Sequence, residues 1–312
     1  MKNKYLVKVL DFLHLILIGK EKNVPEKFTE KVKYYLKETL VLIVMFLFLN
    51  SFLIASFMVP TGSMENEVMT GDFLIVNKFI YGGQSPRHIP FTNFRLPWFR
   101  LPAIKEVKRG DVIVFEFPGM REEVNPEAFT YYLKRCVALP GDTLQIINRA
   151  ISINGKQIPI PKNMKFNSFN FLPAGYGDDR IFPPTSNFNE DNYGPVVVPF
   201  KGMKINLSLD NIIKWETFIL REGHKITFSS DKNILIDGVL KSTYTVEQDY
   251  LFGMGDNRDN SLDSRYWGFI PKENLVGSPI LVYWSWNSDI SLFNIFEKLS
   301  TVRFSRIGTF IN

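Results

Sequence analysis

The sequence predicts a mainly β protein: an antiparallel β-sheet domain carrying an inserted β-rich subdomain and preceded by a transmembrane helix. Three observations lead there. Leu40 to Val59 is an uncharged apolar run whose only polar members are Asn50, Ser51 and Ser56. Beyond Pro60, short β-prone runs alternate with turn residues. Between residues 160 and 245 that rhythm gives way to Pro and Asn clusters with two further β-like stretches.

Taken in order, residues 1–39 read as a cytoplasmic N-terminal segment. They hold nine Lys and no Arg against five acids, and no Lys or Arg then occurs before Lys78. That asymmetry predicts a cytoplasmic N-terminus and an external main domain. Within the segment, Tyr5 to Ile18 is apolar but interrupted by Lys8, Asp11 and His14. It reads as an amphipathic helix on the inner membrane face, with a second span as the alternative. Residues 40–59 read as the transmembrane helix, because 20 residues at about 1.5 Å each match a hydrocarbon core of roughly 30 Å. The run starts too far into the chain, and is too long, for a removable signal peptide.

Residues 60–159 and 246–290 read as the β core. Strands are expected over Asp72–Asn77, Gly110–Pro118 and Tyr131–Leu139, with a hairpin around the Asn148-Arg149 turn. Residues 160–245 are the insertion, with strands near Lys225–Phe228 and Ile234–Ile236, and 291–312 form a tail. Phe91 to Pro102 mixes aromatic residues, Leu, Arg and Pro without period. It suits either a membrane-dipping loop or a loop packed on the β core.

Composition narrows the function. The net charge of +5 is modest and the lysines accompany no nucleic-acid-binding motif, so nucleic acid is not an expected partner. A single cysteine, Cys136, rules out an intramolecular disulfide and a CxxC metal site. His14, His88 and His224 are scattered and read as surface or loop residues. Asp256, Asp259 and Asp263 invite a calcium reading, but Arg258 falls where an EF-hand loop needs its second ligand. Neither a metal nor another cofactor is expected.

The residues that suggest chemistry are Ser63, in Val59-Pro60-Thr61-Gly62-Ser63-Met64, and Lys134, in Tyr132-Leu133-Lys134-Arg135-Cys136. A serine hydroxyl is a weak nucleophile and needs a base. A lysine serves if burial lowers its pKa from about 10.4 toward ~7–8. Lys134 sits in an apolar strand that would bury it, and strand alternation puts Tyr132, Lys134 and Cys136 on one face. Cys136 reads as a small buried hydrophobe rather than a rival nucleophile.

Four motifs occur in order: VPTGSM after the apolar run, GDVIVFEFP, YLKRCVALPGD, and GMGDNRDNSLDSRYWGFIP from Gly253 to Pro271. Together they resemble type I signal peptidase (leader peptidase), a serine/lysine-dyad membrane peptidase family, from about Leu40 to Gly277. The resemblance implies a serine endopeptidase that removes signal peptides from exported preproteins. It implies Ser63 as acylating nucleophile and Lys134 as general base. The Thr61 hydroxyl, where many relatives carry a serine, and the Ser63 N–H would form the oxyanion hole. Ser261 would orient the lysine amine, and Asp263 with Arg265 would form a supporting ion pair. Phe57, Val59, Met64, Val68 and Leu133 would line small pockets that select an Ala-X-Ala cut site. Relatives commonly have Pro-Thr-Leu after the Ser-Met pair; here Glu65, Asn66, Glu67 and Val68 follow, and the two acids could alter the pocket rim. Preproteins and membrane lipid are the implied partners, and the sequence does not indicate an oligomeric state. The alternatives are a Ser/Lys peptidase dedicated to one substrate and an anchored β-domain that binds secreted chains without cutting them.

Overall fold

The computed structural model describes residues 25, 27–87, 94 and 96–311. The expected helix over Tyr5–Ile18, together with His14, His88 and part of the Phe91–Pro102 loop, lies outside them. Residues 1–49 and 50–312 are separate compact units.

Helix α1 (Phe28–Phe52) has Glu30 in its first turn, on the favourable end of the helix dipole, and buries no residue. At its C-terminal end, Lys78 Nζ donates to Asn50 O at 3.1 Å, satisfying a carbonyl that the helix leaves open. The chain then passes almost directly into strand β1 (Ile54–Met58). This corrects the expected single helix over 40–59. Residues 54–58 pair antiparallel with β2 (Asp72–Asn77), from Ile54↔Asn77 to Met58↔Phe73. Ala55 and Val59 turn inward while Ile54 and Met58 stay exposed. A partner strand thus satisfies the backbone that a helix would otherwise satisfy internally. The uncharged helical run left is Leu40–Phe52, about 20 Å at 1.5 Å per residue. No helix among the described residues is long and apolar enough to cross a membrane.

The remaining strands follow in chain order: β3 (Val112–Glu116), β4 (Tyr131–Ala138), β5 (Thr143–Ile147), β6 (Ala150–Ile153), β7 (Lys156–Gln157), β8 (Tyr193–Val197) and β9 (Lys204–Asn206). After helix α2 (Ile212–Arg221) come β10 (Ile226–Phe228), β11 (Ile234–Ile236), β12 (Val239–Leu240), β13 (Thr243–Thr245) and β14 (Tyr250–Met254). A short helix α3 (Ser264–Trp267), β15 (Ile270–Pro271), β16 (Leu275–Ser285) and α4 (Ile295–Ser300) complete the chain. The fold is mainly β, and the named strand pairs are antiparallel.

The main sheet has seven strands in the order β1-β2-β16-β3-β4-β14-β15. The long β16 pairs first with β3 and then with β2, with register shifts that let one strand serve both. The tail is pinned back onto it: Gly308 N–H donates to Val282 O at 2.8 Å.

The inserted body starts earlier than the sequence suggests. β5, β6 and β7 share a four-stranded sheet with β8, in the order β7-β6-β5-β8. A boundary at 159/160 would cut this sheet, so the insertion begins after β4. Its core joins Leu144, Ile146, Tyr193 and Ile219 to Val137 of β4 and Phe252 and Met254 of β14. The body therefore grows out of two neighbouring main-sheet strands. A separate cluster of Val59, Met64, Val68, Leu74, Val114 and Val282 packs near the start of the sheet.

Candidate active site

Past β1, Val59 continues the ladder, donating to Asp72 O and accepting from Gly71 N–H, both at 2.9 Å. Pro60 cannot donate and ends the strand. Residues 62–68 then fold on themselves: Glu65 N–H donates to Gly62 O at 3.1 Å and Val68 N–H to Met64 O at 2.8 Å. Met64 and Val68 are buried, so apolar anchors flank this tight loop and Ser63 stands between them at the surface of the core.

Lys134 lies mid-strand in β4, opposite Ile113 of β3 and 3% exposed. Its Nζ donates to Ser63 Oγ at 2.6 Å. Burial pulls the ammonium down from its ordinary value of 10.5 to about 8; Asp263 and Asp256 pull it upward and Arg265 opposes them. The lowered value makes the neutral form of this amine more accessible, and a neutral amine touching a hydroxyl can remove the hydroxyl proton.

The pair opens onto a cleft of about 410 Å³ whose walls include Phe57, Val59, Thr61, Met64 and Leu133. Val68 does not line it. That side chain is fully buried in the core cluster with Met64, because the loop turns inward between the two. Sequence reasoning missed Tyr131 and Tyr132, which also border the cleft. Tyr131 packs edge-on against Phe57 at 5.2 Å. Its place two residues before Leu133, on the same strand face, was the available signal.

Ser261 departs from expectation. Its Oγ is buried and has no hydrogen-bond partner, and Lys134 Nζ reaches Ser63 instead. Ser261 lies close to Gly255, where an added Cβ would be 2.2 Å from its Oγ and 2.5 Å from Ser63 O. Asp263 and Arg265 do meet, with Nε and Nη2 each 2.9 Å from a carboxylate oxygen. Asp263 also caps α3 and accepts from Gly255 N–H at 3.1 Å. Arg265 Nη2 reaches Arg258 O at 2.7 Å, so the pair ties three stretches of chain together.

The other candidates lead elsewhere. Cys136 is fully buried, and burial pushes its thiol well up. His224 sits on the inserted body between Asp237 (2.6 Å) and Glu247 (3.1 Å). Asp256 is held by Arg135, and Asp259 accepts the Asn167 and Ser168 N–H groups at 2.7 and 2.9 Å. No group of side chains among the described residues is arranged to hold a metal ion.

Residues 32–284 match the family described as signal peptidase, peptidase S26. Signal peptidase I of Buchnera aphidicola subsp. Schizaphis graminum is 32% identical over 270 residues, covering 83% of this chain and 76% of the relative. That of Aquifex aeolicus is 26% identical over 264 residues, covering 80% and 82%. That of Pseudomonas aeruginosa is 29% identical over 276 residues, covering 84% and 73%. The crystal structure of a signal peptidase I from Enterococcus faecalis V583 aligns with 56% of this chain and 98% of its own, at 19% identity and a TM-score of 0.24.

Proposed function

This chain belongs to the signal peptidase family, peptidase S26, whose members are serine endopeptidases that remove signal peptides from preproteins, and on that premise we propose that it cuts through a Ser63–Lys134 dyad. The observation that carries the reading is the 2.6 Å contact between a buried lysine and a cleft-facing serine. Neutral Lys134 takes the Ser63 proton as Oγ attacks the scissile carbonyl. The Thr61 hydroxyl and the Ser63 N–H donate to the oxyanion. Collapse breaks the C–N bond; Lys134 returns its proton to the leaving amine, which becomes the N-terminus of the mature protein. Lys134 then deprotonates a water that attacks the ester, freeing the signal peptide as a carboxylic acid and restoring Ser63.

The apolar cleft walls support a preference for small residues at the cut, of Ala-X-Ala type. Asp263 and Arg265 brace the wall behind Lys134. Ser261 is the candidate to orient the Lys134 amine, because its buried Oγ has no hydrogen-bond partner and lies, like the Ser63 carbonyl, beside Gly255. Membrane anchoring rests on α1, whose Leu40–Leu49 stretch exposes Val41, Ile43, Phe46 and Phe48. The lysine-rich 1–39 segment supports a cytoplasmic N-terminus, with the catalytic unit on the outer face of a bacterial cytoplasmic membrane.

The test is cleavage of a preprotein with alanines at −3 and −1 by wild type, Ser63→Ala and Lys134→Ala. Cutting after the −1 residue by wild type, with loss of at least about 1,000-fold in each folded variant, is expected for partners that act as a unit. Activity surviving in either variant would remove the dyad.

A further inference from the structure

Glu65, Asn66 and Glu67 stand where the nucleophile loop departs from its relatives, and each has a definite environment. Asn66 has φ of 81°, a left-handed conformation that asparagine tolerates better than most residues. The turn sends the flanking acids to different partners. Glu65 accepts from Lys165 Nζ at 2.7 Å and Asn257 Nδ2 at 3.1 Å. Glu67 goes inward. Its carboxylate accepts from Asn163 Nδ2 at 2.5 Å and lies 3.5 Å from Arg135 Nη2, with both charged side chains under 10% exposed.

Arg135 is the neighbour of Lys134 on β4. The same guanidinium donates to Asp256 at 2.7 to 3.1 Å. Asn257, next along, donates its N–H to Ser63 O at 3.1 Å and its Nδ2 to Gly62 O at 3.0 Å. The contacts close a circuit: nucleophile loop, Glu67, base strand, Asp256–Asn257, and back to the Ser63 peptide. Asn163 ties the inserted body into it. Buried charged hydrogen bonds of this kind hold geometry strongly, because leaving one partner alone in the interior is costly.

We infer that Glu67 is a positioning residue: by bridging Arg135 and Asn163 it fixes the Ser63 loop against the Lys134 strand. The inference rests on the dyad reading above. Glu67 acts through position rather than field, because the charges that bear on Lys134 are Asp263, Arg265 and Asp256.

The experiment uses the full chain in detergent, a preprotein substrate, and a serine-reactive phosphonate that titrates Ser63. Glu67→Gln should label to full stoichiometry, but with acylation rate and kcat about tenfold lower and KM within about twofold. A 1 Å misplacement can cost about 100-fold, so tenfold corresponds to a smaller slip. The acidic limb of its pH–rate profile should stay where wild type has it. Asn163→Ala should cost about threefold in kcat and nothing further in the Glu67→Gln background, since both changes break one bridge. Wild-type acylation in folded Glu67→Gln, a loss confined to the labelled fraction, or additive effects would each overturn the inference. Should Glu67→Gln fail to fold, an unchanged acylation rate in Asn163→Ala overturns it alone. Ser63→Ala, run alongside, separates the two claims: cutting by that variant sinks the dyad, whereas a silent Ser63→Ala beside a fully active Glu67→Gln sinks only the role of Glu67.

Discussion

One buried side chain, Lys134, carries a pH dependence that bears on both stability and activity. Lys134 is held near 8 when folded and would return to about 10.5 on unfolding. Between those values the unfolded chain binds more protons than the folded one, so the Lys134 contribution makes stability rise with pH across that window. Below about 8 the fold bears the full cost of a charged amine in its interior. Activity should climb through the same pH near 8, as the neutral base accumulates. Lys134→Met keeps the apolar stem and discards the charge. It should abolish cleavage and raise stability at pH 7 by at most about 3 kcal/mol, with the gain fading toward pH 10.5. Calorimetry of both proteins at pH 7 and 10 checks this, and the difference cancels groups that titrate in both. A variant less stable than wild type at pH 7 would mean that the bond to Ser63 outweighs the desolvation cost. The acids beside Ser63 need no such trade: Glu65 and Glu67 are both engaged by cations, so neither leaves a free charge at the cleft.

The segment after β14 reaches the nucleophile more closely than any motif reveals. At Gly255 a methyl group would sit 2.5 Å from the carbonyl oxygen of Ser63, a backbone atom that cannot rotate away. Gly255→Ala must therefore push the nucleophile loop off Lys134. We expect kcat to fall about 100-fold or more while far-UV circular dichroism stays close to wild type. Near-normal kcat would show that the loop gives way without losing its alignment. Ser63 and Lys134 stand out as candidates in the sequence because each sits in a contiguous motif of an ordered series, and the fold brings the two side chains together. The bracing that Arg135 supplies is not readable there, since Arg135 finds Glu67 and Asp256 only once three distant stretches have paired. The end of α1 was hidden for a different reason. Apart from Ser56, residues 54–59 are apolar at both their inward and outward positions, so the period-two signal that marks a strand is too weak to read, and composition alone extends the helix. The insertion boundary was missed because the pairing of β5 with Tyr193–Val197 is non-local.

At the scale of the whole chain, the unexplained surface is the apolar one. A helical stretch that is apolar all round belongs in an apolar medium, and the Leu40–Leu49 stretch of α1 is of that kind and holds no buried residue. If lipid covers it, binding should be hydrophobic and hence insensitive to salt. The full chain should float with neutral phosphatidylcholine vesicles even at about 1 M salt, where the screening length is only ~3 Å. Ile43 and Phe46 are 50% and 65% exposed. Changing both to Asp places two charges in that surface, at about 2.5–3.5 kcal/mol each near a bilayer centre, and should weaken vesicle binding by at least about 100-fold. Neither residue lies in the compact unit 50–312 that holds Ser63 and Lys134, so cleavage of a short soluble peptide should be unchanged. Cleavage of a preprotein tethered to the same vesicles should fall with the binding, because shared attachment to one surface is what raises the local substrate concentration. A double variant that still floats would place the lipid contact elsewhere. One that detaches yet cuts tethered substrate at the wild-type rate would mean that anchoring contributes nothing to encounter.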